Sequence, residues 1–268
     1  MSDLLVSLRS YILKILAETD VYLVFDRYHD YSIKSDTRQE RLSQFRQSHN
    51  LSSSSPLPAK EIAMKVTDTK KQLIEMAKDD LLKNIPNHSN KLIITAETET
   101  PYQVHLGVQT IRNDLKSRQE EADVIIPYQV SEAIADGKKS VKVICEDTDV
   151  FVLLCHCYNI KNWNIDVYMT DFTEGKNIIS INDTVKKHKP LIPELLSVHA
   201  LSGCDTVPMY FGIGKKKALK VAATLKLSFL GEIDATEDQY LSESRKFIAA
   251  CYSAKYESSS KNRYIQLL

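Results

Sequence analysis

Residues 140–149 read SVKVICEDTD, and the run after them, VFVLL at 150–154, is apolar again. The β-branched residues of 140–145 predict a buried strand. Glu146, Asp147 and Asp149 then stand just past that strand's carboxyl end, where open α/β sheets collect their chemistry. The run at 150–154 reads either as a second strand or as a helix start.

The same alternation extends outward on both sides. Leu4, Leu5, Leu8, Ile12, Ile15 and Leu16 recur at helical spacing, and residues 21–25, VYLVF, predict a strand that ends in Asp26. Residues 59–85 and 120–135 predict helices, the second with Pro127 near its first turn. Residues 91–95 and 165–169 predict further strands, and helices are expected from residue 195 onward with a break at 208–214. Four serines at 52–55, then Pro56 and Pro58, mark a loop. The order argues for an α/β domain with a mostly parallel sheet.

A chain of 268 residues with 43% hydrophobic and 26% charged residues has the composition of a globular protein, which excludes wholesale disorder. Its 35 Lys plus Arg balance 35 Asp plus Glu, so no global basic field points to nucleic acid. The asymmetry is local. Residues 212–227 hold Lys215, Lys216, Lys217, Lys220 and Lys226 and no acid. Five cysteines, an odd number set mostly in apolar runs, argue for buried thiols in a reducing compartment. Cys155-His156-Cys157 has no second Cys/His pair at zinc-site spacing. Read as an extended strand, it also puts the histidine on the face opposite the cysteines. No leader or membrane-length apolar run is present, so a soluble intracellular protein with no membrane partner is expected.

The stretch LSGCDTVPMYFGIGKKKAL at 201–219 carries the second chemical signal. Asp205 is a candidate cation ligand a few residues ahead of a Gly212-Ile213-Gly214 turn. Gly212 and Gly214 let backbone amides approach a phosphate at a helix N-terminus. Lys215, Lys216, Lys217 and Lys220 add charge beside it.

Asp26, Glu121, Asp123, Asp147, Asp149 and Asp205 all fall at strand ends or helix starts. Each has an ordinary alternative as a cap or a dipole partner. Clustered carboxylates repel one another and are most easily explained by cations that neutralise them. Oxygen-only ligands favour Mg2+ or Mn2+.

In their order along the chain, Val24-Phe25-Asp26, Glu121-Ala122-Asp123, Asp147-Thr148-Asp149 and Gly203-Cys204-Asp205 with Gly212-Ile213-Gly214 resemble the flap endonuclease-like group of the PIN-like nuclease superfamily. The resemblance spans residues 4 to 225. It implies a three-layer α/β/α core over 1–194, with 50–118 an insertion matching no family element. A helical region over 195–268 would carry a helix-turn-helix that grips DNA phosphates.

It further implies structure-specific hydrolysis of phosphodiesters with two metal ions, DNA ahead of RNA as substrate, and a nuclear location. Glu121, Asp123, Asp147 and Asp149 would form the core of the metal site, with Asp26 and Asp205 beside it. Lys34 and Arg41, with Arg38 between them, would steady the scissile phosphate, and a monovalent cation would assist the glycine turn. Protein partners are not indicated.

The family's further Asp, on a strand ahead of the opening helix, has no counterpart here. Asp3 falls within the first helix and Asp20 at the wrong end of the next strand. An incomplete start, a rearranged sheet and a degenerate nucleic-acid-binding relative are the three explanations. A plain interaction domain, its acids acting as caps, is the remaining rival.

Overall fold

The computed structural model describes residues 2–28, 51, 66–173, 177–204, 207–225 and 227–252. They fall into two compact units, Met1–Glu132 and Ala133–Leu268.

The first unit opens with α1 (Ser2–Leu16), which buries Ile12 and Leu16 as its periodicity predicts. Strand β1 (Val21–Val24) follows, and then α2 (Thr67–Asn84). Ile85 stops α2 in extended geometry at φ −71, because the proline at 86 disfavours a helical residue before it. Strand β2 (Leu92–Thr95) is buried throughout. It pairs in parallel with β1, Val21 opposite Leu92 and Val24 opposite Thr95, and such a pairing requires a crossover between the strands. Asp20 Oδ1 accepts the Lys91 amide at 2.8 Å and fixes the start of that register. Arg9 Nη1, 2.8 Å from Asp80 Oδ1, clips α1 to α2. Ile12, Leu16, Leu81, Leu92, Ile94 and Val104 form the core between helices and sheet, each worth about 1.5–3 kcal/mol for a fully buried aliphatic side chain.

Strands β3 (Tyr102–His105) and β4 (Val108–Ile111) complete a sheet of order β1-β2-β3-β4, both added antiparallel. Their two-residue turn has Leu106 at φ 50 and Gly107 at φ 74, the positive pair that matches the twist of a tight hairpin. A single helical turn at Asn113–Leu115 leads towards α3 (Ala122–Ala135), which carries Pro127 inside it. The unit boundary falls within α3.

In the second unit β5 (Ser140–Ile144), α4 (Thr148–Ile160) and β6 (Asp166–Thr170) form a strand–helix–strand crossover with β5 and β6 parallel. Strand β7 (Ile178–Ser180) adds antiparallel to β6. Next come α5 (Ile181–Lys187), α6 (Leu195–Leu201), α7 (Lys215–Leu225) and α8 (Glu237–Tyr252). Val198, Ile213, Ala218, Leu230, Phe247 and Cys251 make one core of the helices from α6 on.

The architecture is α/β, with mixed sheets. Parallel pairing is limited to β1–β2 and β5–β6, while β2–β3, β3–β4 and β6–β7 are antiparallel. The hairpin within 50–118 and the short β7 account for the departure from a mostly parallel sheet. The run 150–154 resolves as helix, so Cys155, His156 and Cys157 lie on α4 and not on a strand. Burial there pushes the Cys155 thiol up to about 12, raises Cys157 and lowers His156, as expected of core side chains. Among the described residues no helix is long and apolar enough to cross a membrane.

Candidate functional site

In the first unit the site grows from the end of β1. The Phe25 amide bonds the Thr95 carbonyl at 2.9 Å, which carries the extended pairing up to Asp26. Asp26 Oδ1 then accepts the Ala122 amide at 2.9 Å, across 96 residues of sequence. That amide sits at the mouth of α3, where helix N–H groups lack internal acceptors and a carboxylate is favoured. Glu121 closes the first turn through its carbonyl, which accepts from Val124 and Ile125, and Asp123 lies in that turn. Asp26 is thereby tied to the start of the Glu121-Ala122-Asp123 motif.

Arg27 holds this arrangement. It is 1% exposed. Its Nε donates to the Ala96 carbonyl at 2.8 Å, Nη1 to Ser117 at 2.6 Å and Gln119 at 2.9 Å, and Nη2 to Glu99 at 3.3 Å. The Arg27 amide bonds the Glu120 carbonyl at 2.8 Å. One guanidinium thus gathers both ends of the 96–120 segment and sets Glu121 down beside Asp26. Burial lowers the Arg27 pKa, and the Glu99 and Glu97 carboxylates oppose that shift. A cleft of about 260 Å³ adjoins, lined by Asp26, Arg27, Tyr28, Lys71, Glu75 and Glu97 among others.

In the second unit Asp147 caps α4, its Oδ1 accepting the Asp149 amide at 2.8 Å. This is the ordinary role its position allowed. Asp149 Oδ1 lies 2.8 Å from Nε2 of His199 on α6. Lys215 turns inward. Its Nζ donates to the His199 carbonyl at 2.7 Å and to the Gly203 carbonyl. It satisfies acceptors at the carboxyl end of α6, where a helix leaves carbonyls without donors. Burial lowers the Lys215 pKa, against the raising influence of Cys204 and Asp149.

Gly203, at φ +95, lets Met209 pack against it, since an added Cβ would lie 2.7 Å from the Met209 Cα. Gly212 is also left-handed, at φ +72, and the positions of Cβ atoms at Gly212 and Gly214 are open for 4 Å around. Lys216, Lys217 and Lys220 are exposed. Asp205, Lys34, Arg38 and Arg41 lie outside the described residues.

The six expected carboxylates therefore divide. Asp26, Glu121 and Asp123 belong to one unit, Asp147 and Asp149 to the other. Within the described residues no three His, Cys, Asp or Glu side chains gather closely enough to hold an ion. The donor chemistry still suits a hard cation. Asp26 accepts the Ala122 amide at Oδ1 and the Tyr28 hydroxyl at Oδ2, 3.5 Å away, while Asp147 gives one oxygen to an amide and Asp149 one to His199; such partners orient a carboxylate.

Two contributors were not picked out from sequence. Arg27 stands directly after Asp26, and a charge following a strand-end acid was its only sign. His199 stands in a mostly apolar helix, LLSVHAL, and nothing local links it to Asp149.

Comparison with protein-family models, with curated proteins and with solved structures finds no match to this chain.

Proposed function

We propose that this chain is a metal-dependent, structure-specific nuclease of the flap endonuclease-like kind, acting on DNA. The observation that carries the reading is the Asp26–Ala122 hydrogen bond of 2.9 Å. It brings the first motif to the second, as a shared site requires of residues 96 positions apart. Asp147 and Asp149 at the end of β5 are the second pair, and Asp205 is the sixth acid. Glu121, Asp123, Asp147 and Asp149 would hold Mg2+ or Mn2+, with Asp26 and Asp205 beside them. Such an ion, when bound, supplies a water of lowered pKa and neutralises charge on the departing oxygen.

The chain's own contributions are orientation and grip. Arg27 sets the Glu121 segment against Asp26, and His199 holds Asp149. Lys215 ties the Gly203 corner to α6, which leaves Lys216, Lys217 and Lys220 as the phosphate-facing charges of the glycine turn. Lys34 and Arg41 are the proposed contacts to the scissile phosphate.

The testing experiment is cleavage of a labelled 5′-flap DNA and a matched duplex with Mg2+, Mn2+ or EDTA, alongside Asp147→Ala/Asp149→Ala. Metal-dependent cutting that the double variant loses, with DNA affinity kept or raised, is expected. A variant that cuts normally would place the reaction elsewhere. A second reading, a nucleic-acid-binding relative without turnover, is supported by the division of the acids, since among the described residues no three ligating side chains gather. DNA binding without metal-dependent cutting would favour it.

A further inference from the structure

Phe211 is 93% exposed, and Met209 beside it 71%. A ring so placed adds nothing to the core and can bury its apolar area only against a partner. The backbone around this ring is anchored. Tyr252 Oη donates to the Phe211 carbonyl at 2.9 Å, and the Ile213 amide bonds the Tyr210 carbonyl at 3.1 Å. Ile213 is sunk into the helical core at 2% exposure, and Tyr210 and Tyr252 pack against the same core. Gly212, at φ +72, supplies the turn between the exposed ring and the buried isoleucine. The ring is therefore held outward by a fixed scaffold. Directly after it, α7 exposes Lys216, Lys217 and Lys220, and no acid occurs over 212–227.

We infer that Phe211 is a stacking platform for an unpaired nucleobase, placed beside the lysines that hold the flanking phosphates. An aromatic face with adjacent cations matches the two faces a nucleic-acid strand offers, a π surface and a phosphate chain. The positive charge selects that partner over an apolar peptide. The inference rests on the nucleic-acid reading above and narrows it to substrates with unpaired bases next to duplex, since paired bases are stacked on one another already.

The experiment measures affinity by fluorescence anisotropy for a labelled flap, a blunt duplex and a single strand, each as DNA and as RNA. Phe211→Ala is compared with Phe211→Tyr and Phe211→Trp, and with Lys216→Ala/Lys217→Ala/Lys220→Ala. Phe211→Ala should weaken binding to flap and single strand about tenfold, hold on blunt duplex, and leave the salt slope unaltered because no charge is lost. Tyr or Trp should restore affinity. The chain has a single tryptophan, Trp163, 8% exposed, so new emission from Phe211→Trp reports on this ring, and nucleobase stacking should quench it. The triple lysine variant should instead flatten the salt slope.

If Phe211→Ala binds like the parent while the lysine variant weakens, the stacking inference falls and the nucleic-acid reading stands. Equal losses on blunt duplex would also overturn stacking. If no nucleic acid binds, both fall. Emission of Phe211→Trp that shifts to the blue with vesicles of equal phosphatidylcholine and phosphatidylserine, and not with nucleic acid, would assign the ring to a membrane surface.

Discussion

Replacing Arg27 by methionine tests the device that assembles the first half of the site. The substitution keeps an unbranched stem, two atoms shorter than that of arginine, and removes four hydrogen bonds to the carbonyls of Ala96, Ser117, Gln119 and Glu99. Ala96 is fully buried at 0% exposure, so its carbonyl loses a donor that water cannot replace, at about 2 kcal/mol. The other three belong to partly exposed residues, where water can enter, and cost about 1 kcal/mol each. Against this stands the relief of a guanidinium held at a desolvation cost, which the lowered Arg27 pKa records. The net expectation is a loss of about 3 kcal/mol, equivalent to a fall of roughly 10 °C in Tm, read by far-UV circular dichroism. Arg27→Lys keeps the charge with fewer, less directed donors and should fall between. Amide exchange over 96–120 should accelerate in the methionine variant, because its two ends are no longer gathered. A Tm within about 2 °C of the parent, with unaltered exchange, would refute the clamp.

His199→Ala frees the Asp149 carboxylate from its 2.8 Å partner. Affinity for Mn2+, read by its paramagnetic resonance, should fall about tenfold or more if Asp149 is a ligand, with DNA affinity retained. The two left-handed glycines should separate. Gly212→Ala meets no atom within 4 Å and should cost about 1 kcal/mol of backbone strain. Gly203→Ala also drives a Cβ to 2.7 Å from Met209 Cα and should cost about 3 kcal/mol; equal denaturation midpoints would contradict that packing. Burial, with Glu243 nearby, lifts Glu194 from 4.5 to about 7. A folded pKa above the unfolded one means that Glu194 favours folding below about pH 4.5, and that this contribution is lost as pH rises through 7. Glu194→Gln should accordingly be stabilised over the parent at pH 8 by about 2 kcal/mol, the ~3.4 kcal/mol of the full shift discounted for solvent screening, and gain little at pH 4; an equal difference at both values would exclude this cause.

What the sequence determined by itself is local. The helical spacing of Ile12 and Leu16, the apolar runs at 21–24 and 92–95, and proline after Ile85 each report on neighbours within a few residues. Here α1, β1, β2 and the end of α2 form where those signals stand. The acids at strand ends and helix starts were legible for the same reason, and Asp147 capping α4 needs only its own turn.

Tertiary structure decided the rest, because the deciding partner lies far along the chain. The run at 150–154 is apolar on every position, so periodicity could not separate strand from helix, and packing chose helix. The antiparallel hairpin at β3 and β4 depends on β2 offering an edge. Lys215 looked like a charge for phosphate until two carbonyls of the α6 corner claimed its ammonium. The contacts of Arg27 with residues 96–119, and of Asp149 with His199 fifty positions on, are set by where whole elements come to rest. No pattern in the residues beside them encodes that.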